Sequence, residues 1–154
     1  MDYCVGLILN SLYQSRHAKN TLVVLWSDHG WHLGEKQHWQ KFTAWRACTR
    51  VPLIVRVPTE TPGLPTGTRS GTCPKPVSLL SLAPTVLELC GLPPVKVHDG
   101  PSLIPLLSDP KEDWSHVAIT HLGSPGSFGL SAERWRYIRY AGGGEELYNI
   151  ETDP

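Results

Sequence analysis

The sequence lacks any apolar run that could cross a membrane. Its longest uninterrupted run is Leu22–Trp26, far short of the ~20 residues that a membrane-spanning helix needs. The first ten residues, MDYCVGLILN, begin with an acid and contain no small-residue cleavage site. We therefore expect neither a membrane span nor a signal peptide in this chain.

An excess of charge of either sign is also lacking. The 154 residues include 14 basic and 14 acidic side chains, so the formal net charge is +0. This balance argues against a nucleic acid or an anionic membrane surface as a partner held by bulk electrostatics. The length suits one average domain.

Cysteines are few, and their spacing fits no metal or redox motif. Cys4, Cys48, Cys73 and Cys90 form no Cys-x-x-Cys pair, which excludes a zinc ribbon and a thioredoxin-type site. Disulfides would be possible, but we favour free, buried thiols. Both ends of the chain fall inside structural signals, a helical apolar stripe at the start and an Asp-Pro turn at the end. We therefore expect the chain to be a piece of a longer protein.

The first two thirds of the sequence predict an α/β fold. A helix in the first residues is followed by a short turn and by Thr21–Ser27, a β-branched apolar run typical of a strand buried on both faces in a parallel sheet. Val51–Val57 predicts a second strand. Residues 58–76 contain five prolines and predict a surface loop.

Helical spacing returns in Ser78–Cys90. Ser81 is the predicted N-cap, and Gly91 is predicted to end the helix at C′. Ser102–Leu107 predicts one more helical turn.

A small antiparallel β part is predicted after about residue 110. His116–His121, Arg134–Tyr140 and Glu145–Tyr148 resemble short strands separated by Gly-rich turns. The alternation in WRYIRY suits a sheet with one solvated face. We therefore predict two parts, residues 1–110 and residues 111–154.

Chemistry is concentrated directly after the first predicted strand, at Asp28-His29-Gly30. Ligands of open α/β sheets bind outside the carboxyl ends of the strands. A carboxylate beside an imidazole suits a divalent cation, and Gly30 lets the backbone bend away. The alternative is a plain turn, in which Asp28 caps backbone N–H groups and His29 lies on the surface.

The next residues are rich in polar and aromatic donors, namely Trp31, His32, Glu35, Lys36, His38, Trp39 and Lys41. Cations near a metal suit an anionic substrate, because they stabilise negative charge on a leaving oxygen. Trp31 and Trp39 could form walls for a sugar or another ring. Alternatively, the tryptophans belong partly to the core and the charges are solvated.

The run TLVVLWSDHGWHLGEKQHWQKFTAW, followed by TRVPLIVRVP, closely resembles the sulfatase family, in particular its iduronate-2-sulfatase-like members. The likeness continues through PVSLLSLAPTVLELCGLP, DGPSLIPLL and RYIRYAGGGEELYNIETDP. It spans nearly the whole chain and keeps the order of the family's motifs.

The resemblance implies an alkaline-phosphatase-like α/β sandwich with a smaller C-terminal antiparallel sheet. It implies a metal-dependent sulfuric ester hydrolase whose substrate is a sulfated sugar or glycosaminoglycan. Asp28 and His29 would bind the divalent cation, which is usually calcium. Lys41 would contact the sulfate and the bridging oxygen, and Trp31 and His32 would line the pocket. Relatives are exported, periplasmic or lysosomal.

One departure from the family concerns the nucleophile. The family makes a formylglycine from the cysteine of Cys-x-(Pro or Ala)-x-Arg, and none of the four cysteines here lies in that motif. We expect the nucleophile in a missing N-terminal half of the same protein, and we expect the isolated chain to be inactive. Two alternatives remain open: a phosphodiesterase or phosphonate hydrolase of the same superfamily, and a non-catalytic remnant that binds sulfated glycans or a partner chain.

Overall fold

The computed structural model describes residues 2–58, 61, 63–65 and 70–153. In chain order the helices and strands are α1 (Asp2–Tyr13), β1 (Val23–Trp26), β2 (His32–Leu33), β3 (Trp39–Gln40), α2 (Arg46–Thr49), β4 (Leu53–Arg56), α3 (Leu82–Leu89), α4 (Ile104–Ser108), β5 (Ala118–His121), β6 (Phe128–Ser131), β7 (Trp135–Arg139) and β8 (Glu145–Asn149). Single 3-10 turns lie at Glu35–Gln37 and Leu79–Ser81. The chain is therefore mixed α/β, with its longest run of strands at the C-terminal end.

The two predicted strands of the first part exist, but their surroundings differ from the prediction. β1 and β4 pair with each other antiparallel, from Val23 opposite Arg56 to Trp26 opposite Leu53. They are not buried on both faces, since Trp26 is 51% exposed and Ile54 is 60% exposed. A doubly buried strand needs helices on both faces of its sheet, and the preceding helix α1 buries none of its residues.

The turn before α3 corrects the predicted cap. The Ser78 hydroxyl, not that of Ser81, accepts the backbone N–H of Leu80, at 3.2 Å. Ser81 has helical dihedrals, and its buried hydroxyl has no hydrogen-bond partner among the described residues. The helical segment begins one turn earlier than the sequence indicated, so the cap moves to the serine that precedes that turn.

The predicted end of α3 is confirmed. Gly91 has φ +67°, its N–H donates to Glu88 O, and the N–H of Leu92 donates to Leu87 O, both at 2.9 Å. This pair of bonds is the Schellman arrangement, which favours glycine in the left-handed region. Farther along, α4 confirms the helical turn expected near Ser102–Leu107.

The C-terminal part is a four-stranded antiparallel sheet in the order β5-β6-β7-β8. Three of its strands were predicted, whereas β6 was missed because Gly129 and the glycines before it resemble a turn. Gly129 has a different role, since a Cβ there would lie 2.6 Å from Arg136 Nη2 and 2.9 Å from Ala44 Cβ. The glycine allows the buried arginine to cross this strand closely.

β7 has the predicted solvated face. Arg136 and Ile138 are buried, and Trp135 and Arg139 on the opposite face are exposed. The Arg136 guanidinium donates to Ala44 O, with Nε at 2.9 Å, and to the Ser131 hydroxyl. Burial lowers the pKa of Arg136 below its usual value. The sheet is thereby tied to the segment that follows β3.

Other expectations stand as follows. All four cysteines are free, but the expected burial is wrong for Cys4 and Cys90, which are exposed, and is confirmed for Cys48. No helix among the described residues is long and apolar enough to cross a membrane. Of the predicted loop 58–76, residues 59, 60, 62 and 66–69 lie outside the described residues, and the others form neither helix nor strand. The division into residues 1–110 and 111–154 stays a prediction; α4 ends at Ser108 and β5 begins at Ala118.

Candidate active site

Asp28, His29 and Lys41 come together beyond the end of β1. Nε2 of His29 lies 3.4 Å from Asp28 Oδ2 and 2.9 Å from Lys41 Nζ. The Asp28 side chain is 81% exposed and the His29 side chain 33%. A carboxylate, an imidazole nitrogen and an ammonium group therefore face one another at an accessible edge.

The backbone sets the orientation of the imidazole. Nδ1 of His29 lies 2.8 Å from the carbonyl oxygen of Gly30. A carbonyl can only accept, so Nδ1 carries the proton in this contact and the neutral ring has its lone pair on Nε2. That lone pair faces Asp28 and Lys41, and this is the orientation that a metal-ligating histidine requires.

Gly30 fixes the turn against α2. Its N–H donates to Cys48 O at 2.8 Å, and a Cβ on Gly30 would lie 1.9 Å from Ala47 O. Only glycine permits such a close approach to a rigid backbone. The position of His29 therefore depends on the contact between this turn and α2.

Lys41 lies in backbone that is locally strained. Among the residues that the structure describes, the non-glycine residues with positive φ are Lys36 (+52°), Gln37 (+56°), Gln40 (+78°) and Phe42 (+69°). All four fall within seven consecutive positions, and two of them flank Lys41. Each such residue costs about 1 kcal/mol or more and persists only where its surroundings enforce it.

Trp31 lies beside this cluster. Its ring centroid is 6.4 Å from that of His29, and the residue is 50% exposed. Phe42 is 78% exposed, with Lys41 Nζ 5.5 Å from its ring centroid. Two accessible aromatic rings thus flank the polar groups, as a sugar-binding surface would require.

His32 lies apart from Asp28, His29 and Lys41. It is 1% exposed, its Nε2 is 2.8 Å from Thr43 Oγ1, and its ring packs edge-on against His38 and Trp45. It lines a cavity of about 160 Å³ whose lining contains none of those three residues. Its Nδ1 has no hydrogen-bond partner within the described part of the chain.

A carboxylate that sequence reasoning missed lies on β8. Glu146 accepts hydrogen bonds from Trp45 Nε1 at 2.8 Å, from Tyr140 Oη at 2.7 Å and from Tyr148 Oη. Nζ of Lys36 donates to Tyr148 Oη at 3.0 Å and lies 4.4 Å from the Tyr148 ring centroid. The period-2 pattern of EELYN was the available signal, because it places Glu146 and Tyr148 on one face.

The pKa shifts in this cluster follow from its contacts. Burial raises the pKa of Glu146, but the hydrogen bonds from Tyr148, Tyr140 and Trp45 outweigh it and hold the pKa below its usual value. Burial, followed by the bond to Glu146, raises the pKa of Tyr140. The bond to Tyr148 raises the pKa of Lys36. The carboxylate and the ammonium group are both charged at neutral pH.

The donor set fits a divalent cation in part. Asp28 and His29 offer a carboxylate oxygen and an oriented imidazole lone pair, both usual metal ligands. Calcium takes 6–8 ligands, and the described residues contain no group of three His, Cys, Asp or Glu side chains placed to hold an ion. Asp28 and His29 could therefore supply only two of the ligands of such an ion, and the others would have to come from elsewhere.

Comparison with known proteins assigns the family. The sequence profile described as "Sulfatase" matches residues 1–92, more than half of the chain. The chain belongs to the sulfatase family.

Curated relatives extend the likeness over the whole chain. A sulfatase of Formosa agariphila is 37% identical over 154 residues, which are 100% of this chain and 29% of that protein. Mouse iduronate 2-sulfatase is 32% identical, and the match covers 91% of this chain and 29% of that protein. The chain thus spans about three tenths of the length of these relatives.

Solved structures share the fold. A protein solved in complex with its substrate D-glucosamine-2-N,6-O-disulfate matches with a TM-score of 0.78 and 26% identity, covering 99% of this chain and 32% of that one. A phosphonate monoester hydrolase of Agrobacterium radiobacter matches with a TM-score of 0.72 and 25% identity, covering 99% and 33%. The predicted fold class, alkaline-phosphatase-like α/β with a small antiparallel sheet, is confirmed.

Proposed function

We propose that this chain is the part of a metal-dependent sulfuric ester hydrolase that carries two of its metal ligands and its leaving-group lysine. The observation that carries the proposal is the convergence of Asp28 Oδ2 and Lys41 Nζ on His29 Nε2, at 3.4 and 2.9 Å. A sulfated sugar is the proposed substrate. A structural neighbour was solved with a disulfated glucosamine, and the exposed Trp31 beside His29 offers a stacking face for a sugar ring.

Asp28 and His29 would hold the cation, for which calcium is the proposed ion. When bound, it would withdraw electron density from the sulfate oxygens and favour attack on sulfur. Asp28 contributes an exposed carboxylate that can reach outward. His29 contributes a lone pair whose direction the Gly30 carbonyl fixes, so it pays little conformational entropy on binding.

Lys41 would act on the leaving group. As the bond between sulfur and the bridging oxygen breaks, negative charge builds on that oxygen. The Lys41 ammonium would stabilise this charge and donate a proton, which releases the alcohol. One water is consumed overall, and its oxygen ends in the released sulfate. One of its protons returns to the lysine, and the other leaves with the sulfate.

The nucleophile would come from outside this chain. None of the four cysteines lies in a formylglycine motif, and the chain spans about three tenths of its relatives. We propose a formylglycine in an N-terminal part of the intact protein, and an exported, periplasmic or lysosomal location as in the family. His32 on β2 is buried, and its expected place in the lining of the substrate pocket stays a prediction.

Two substitutions in the intact protein test the assignment. Asp28→Ala should lower metal content and sulfate release together, because it removes one ligand. Lys41→Ala should retain the metal and lower kcat on a sugar sulfate by roughly a hundredfold. The exposed Asp113 and Lys96 provide matched controls, since Asp113→Ala and Lys96→Ala remove the same charges far along the chain. An Asp28→Ala protein with normal metal content and turnover would overturn the metal assignment.

A second candidate is phosphonate or phosphodiester hydrolysis. The likeness to the phosphonate monoester hydrolase, with a TM-score of 0.72, favours it. The two candidates are separated by offering the intact protein an aryl sulfate and the phenyl ester of a phosphonate at equal concentration. A higher kcat/KM on the sulfate supports the first proposal, and a higher value on the phosphonate supports the second.

A further inference from the structure

We propose that Glu146, on the C-terminal sheet, is a positioning residue that holds Lys41 in place by clamping both ends of the segment that carries it. This segment is residues 36–45, the Lys41 segment. The inference rests on the proposed role of Lys41 in sulfate ester hydrolysis. The C-terminal sheet would thereby contribute to that reaction by positioning Lys41, without contacting the substrate.

The two ends of the Lys41 segment meet at one carboxylate. Trp45, at the C-terminal end, donates its indole N–H to Glu146 Oε2 at 2.8 Å. Lys36, at the N-terminal end, donates to Tyr148 Oη at 3.0 Å, and that hydroxyl donates to the same carboxylate oxygen. Lys41 lies between these two attachments. A rigid sheet therefore fixes both ends of the segment.

The backbone of the segment is strained and needs contacts that hold it in this conformation. Lys36, Gln37, Gln40 and Phe42 have φ between +52° and +78°, a region that side chains usually avoid. Such backbone persists only where contacts enforce it, and β2 and β3 supply only two paired residues each. Arg136 on β7 also holds the C-terminal end, by donating to Ala44 O, but the bonds to Glu146 and Tyr148 on β8 are the ones that join the two ends of the segment.

The carboxylate is itself well fixed. Tyr140, near the end of β7, donates to Glu146 Oε1 at 2.7 Å, so both oxygens accept hydrogen bonds. Lys36 also lies 5.4 Å from the Trp45 ring centroid and 4.4 Å from that of Tyr148. The two ends of the segment thus contact each other as well as the sheet, and loss of the carboxylate would break the link between them.

Glu146→Gln is the direct test, because it keeps the size of the side chain and removes the negative charge that strengthens the hydrogen bonds from Trp45, Tyr140 and Tyr148. Its neighbour Glu145 is exposed and lies on the opposite face of β8, so Glu145→Gln removes the same charge from the same strand. In the intact protein we expect kcat on a sugar sulfate to fall tenfold or more, on the order of the loss from a small misplacement of a catalytic group. KM should change little, and Glu145→Gln should match the wild type.

Substrates with different leaving groups distinguish a positioning role of Glu146 from a general loss of stability. An aryl sulfate with an acidic phenol needs little help from a proton donor, so Lys41→Ala should impair it far less than a sugar sulfate. Glu146→Gln should reproduce that dependence, whereas a merely unstable protein would lose both activities in equal proportion. Equal losses on both substrates would overturn the inference.

Amide hydrogen exchange gives a readout that needs no substrate. Exchange in residues 36–45 should accelerate in Glu146→Gln and stay unchanged in Glu145→Gln. If Glu146→Gln fails to fold, Tyr148→Phe serves instead, since it removes the hydroxyl that links Lys36 to Glu146 and retains the ring. Unaltered exchange in either variant overturns the clamp even if the intact protein hydrolyses no sulfate ester, so its failure is distinct from that of the proposed function.

Discussion

The region of the candidate site and the C-terminal sheet differ in what holds them. Residues 21–58 contain the three converging polar groups, short strand pairs and four non-glycine residues with positive φ. Residues 118–149 form a regular sheet with Ile138 fully buried and a buried arginine on the same face. The candidate site lies in the region with less regular structure, and the sheet contacts that region through Glu146 and Arg136.

Large apolar side chains are exposed in both regions, since Trp135 and Leu147 of the C-terminal sheet are 47% and 63% exposed, but in the N-terminal part they lie on a helix as well as a strand. Tyr3 and Ile8 on α1 are 76% and 70% exposed, and Trp26 at the end of β1 is 51% exposed. Exposed apolar side chains on neighbouring elements mark a surface that packs against something else. Since the chain spans about three tenths of its relatives, we propose that the rest of the intact protein covers this surface.

The largest expected effect is the loss of all turnover when the 154-residue chain is produced alone. Without the proposed nucleophile and the remaining metal ligands, it should release no sulfate from a sugar or aryl sulfate. Amide exchange should also be fastest in residues 2–26 and slowest in the C-terminal sheet. Sulfate release, or uniform protection that is lost in one cooperative step, would contradict the proposed difference between the regions.

Gly30→Ala should come next, because it damages the site and spares the sheet. The added Cβ would lie 1.9 Å from the carbonyl oxygen of Ala47, so the His29 turn and α2 must separate. We expect turnover of the intact protein to fall by roughly a hundredfold, together with its metal content. Gly123→Ala is the matched control, since nothing lies within 4 Å of a Cβ there. A Gly30→Ala protein that binds metal normally would show that the close contact is dispensable.

Ile138→Ala tests the other region, because it should destabilise the C-terminal sheet. The side chain is fully buried in β7, so truncation leaves a cavity and should lower the free energy of unfolding by about 3 kcal/mol. Chemical denaturation would measure this loss. Ile119→Ala, at a position 46% exposed, should cost far less. Equal losses would mean that the sheet lacks the packed core described above.

In the region of the candidate site, the sequence predicted the polar side chains better than the pairing and burial of the strands. Asp28 and His29 stood out because a carboxylate and an imidazole directly follow a strand, whereas the role of Lys41 came from the resemblance to the sulfatase family; the structure brings the three side chains together. That β1 and β4 would pair antiparallel and remain half exposed was not predictable, because an apolar run shows the preference for burial and not what supplies it.

For the C-terminal sheet, the sequence predicted the strands better than the contacts of their polar side chains. The alternation in β7 predicted a solvated face, but not that Arg136 would lie on the buried one. β6 was missed since Gly129 reads as a turn residue until the crossing arginine is seen. Glu146 escaped notice because its three donors, Trp45, Tyr140 and Tyr148, come from separate places in the sequence, and only the fold unites them.

The stability of the protein should depend on pH through Glu146, which joins the two regions. Its pKa is below the ordinary value of 4.5 in the folded protein, so it stabilises the fold above pH 4.5, and that contribution is lost as the pH falls through the lower, folded pKa. Thermal unfolding between pH 6 and 3 should therefore show a steeper acid loss in the wild type than in Glu146→Gln. Parallel pH profiles for the two proteins would contradict a charged, hydrogen-bonded Glu146.

The smallest effects concern the two serines before α3. Ser78→Ala removes the hydroxyl that accepts the Leu80 N–H and should cost about 1 kcal/mol in the free energy of unfolding. Ser81→Ala removes a buried hydroxyl without a hydrogen-bond partner among the described residues, and it should be neutral or slightly stabilising, because no bond is lost and a polar atom leaves the interior. Denaturant midpoints of the two variants decide the point. A larger loss from Ser81→Ala would restore the cap to the position that the sequence first indicated, and would place the start of the helix one turn later than the structure does.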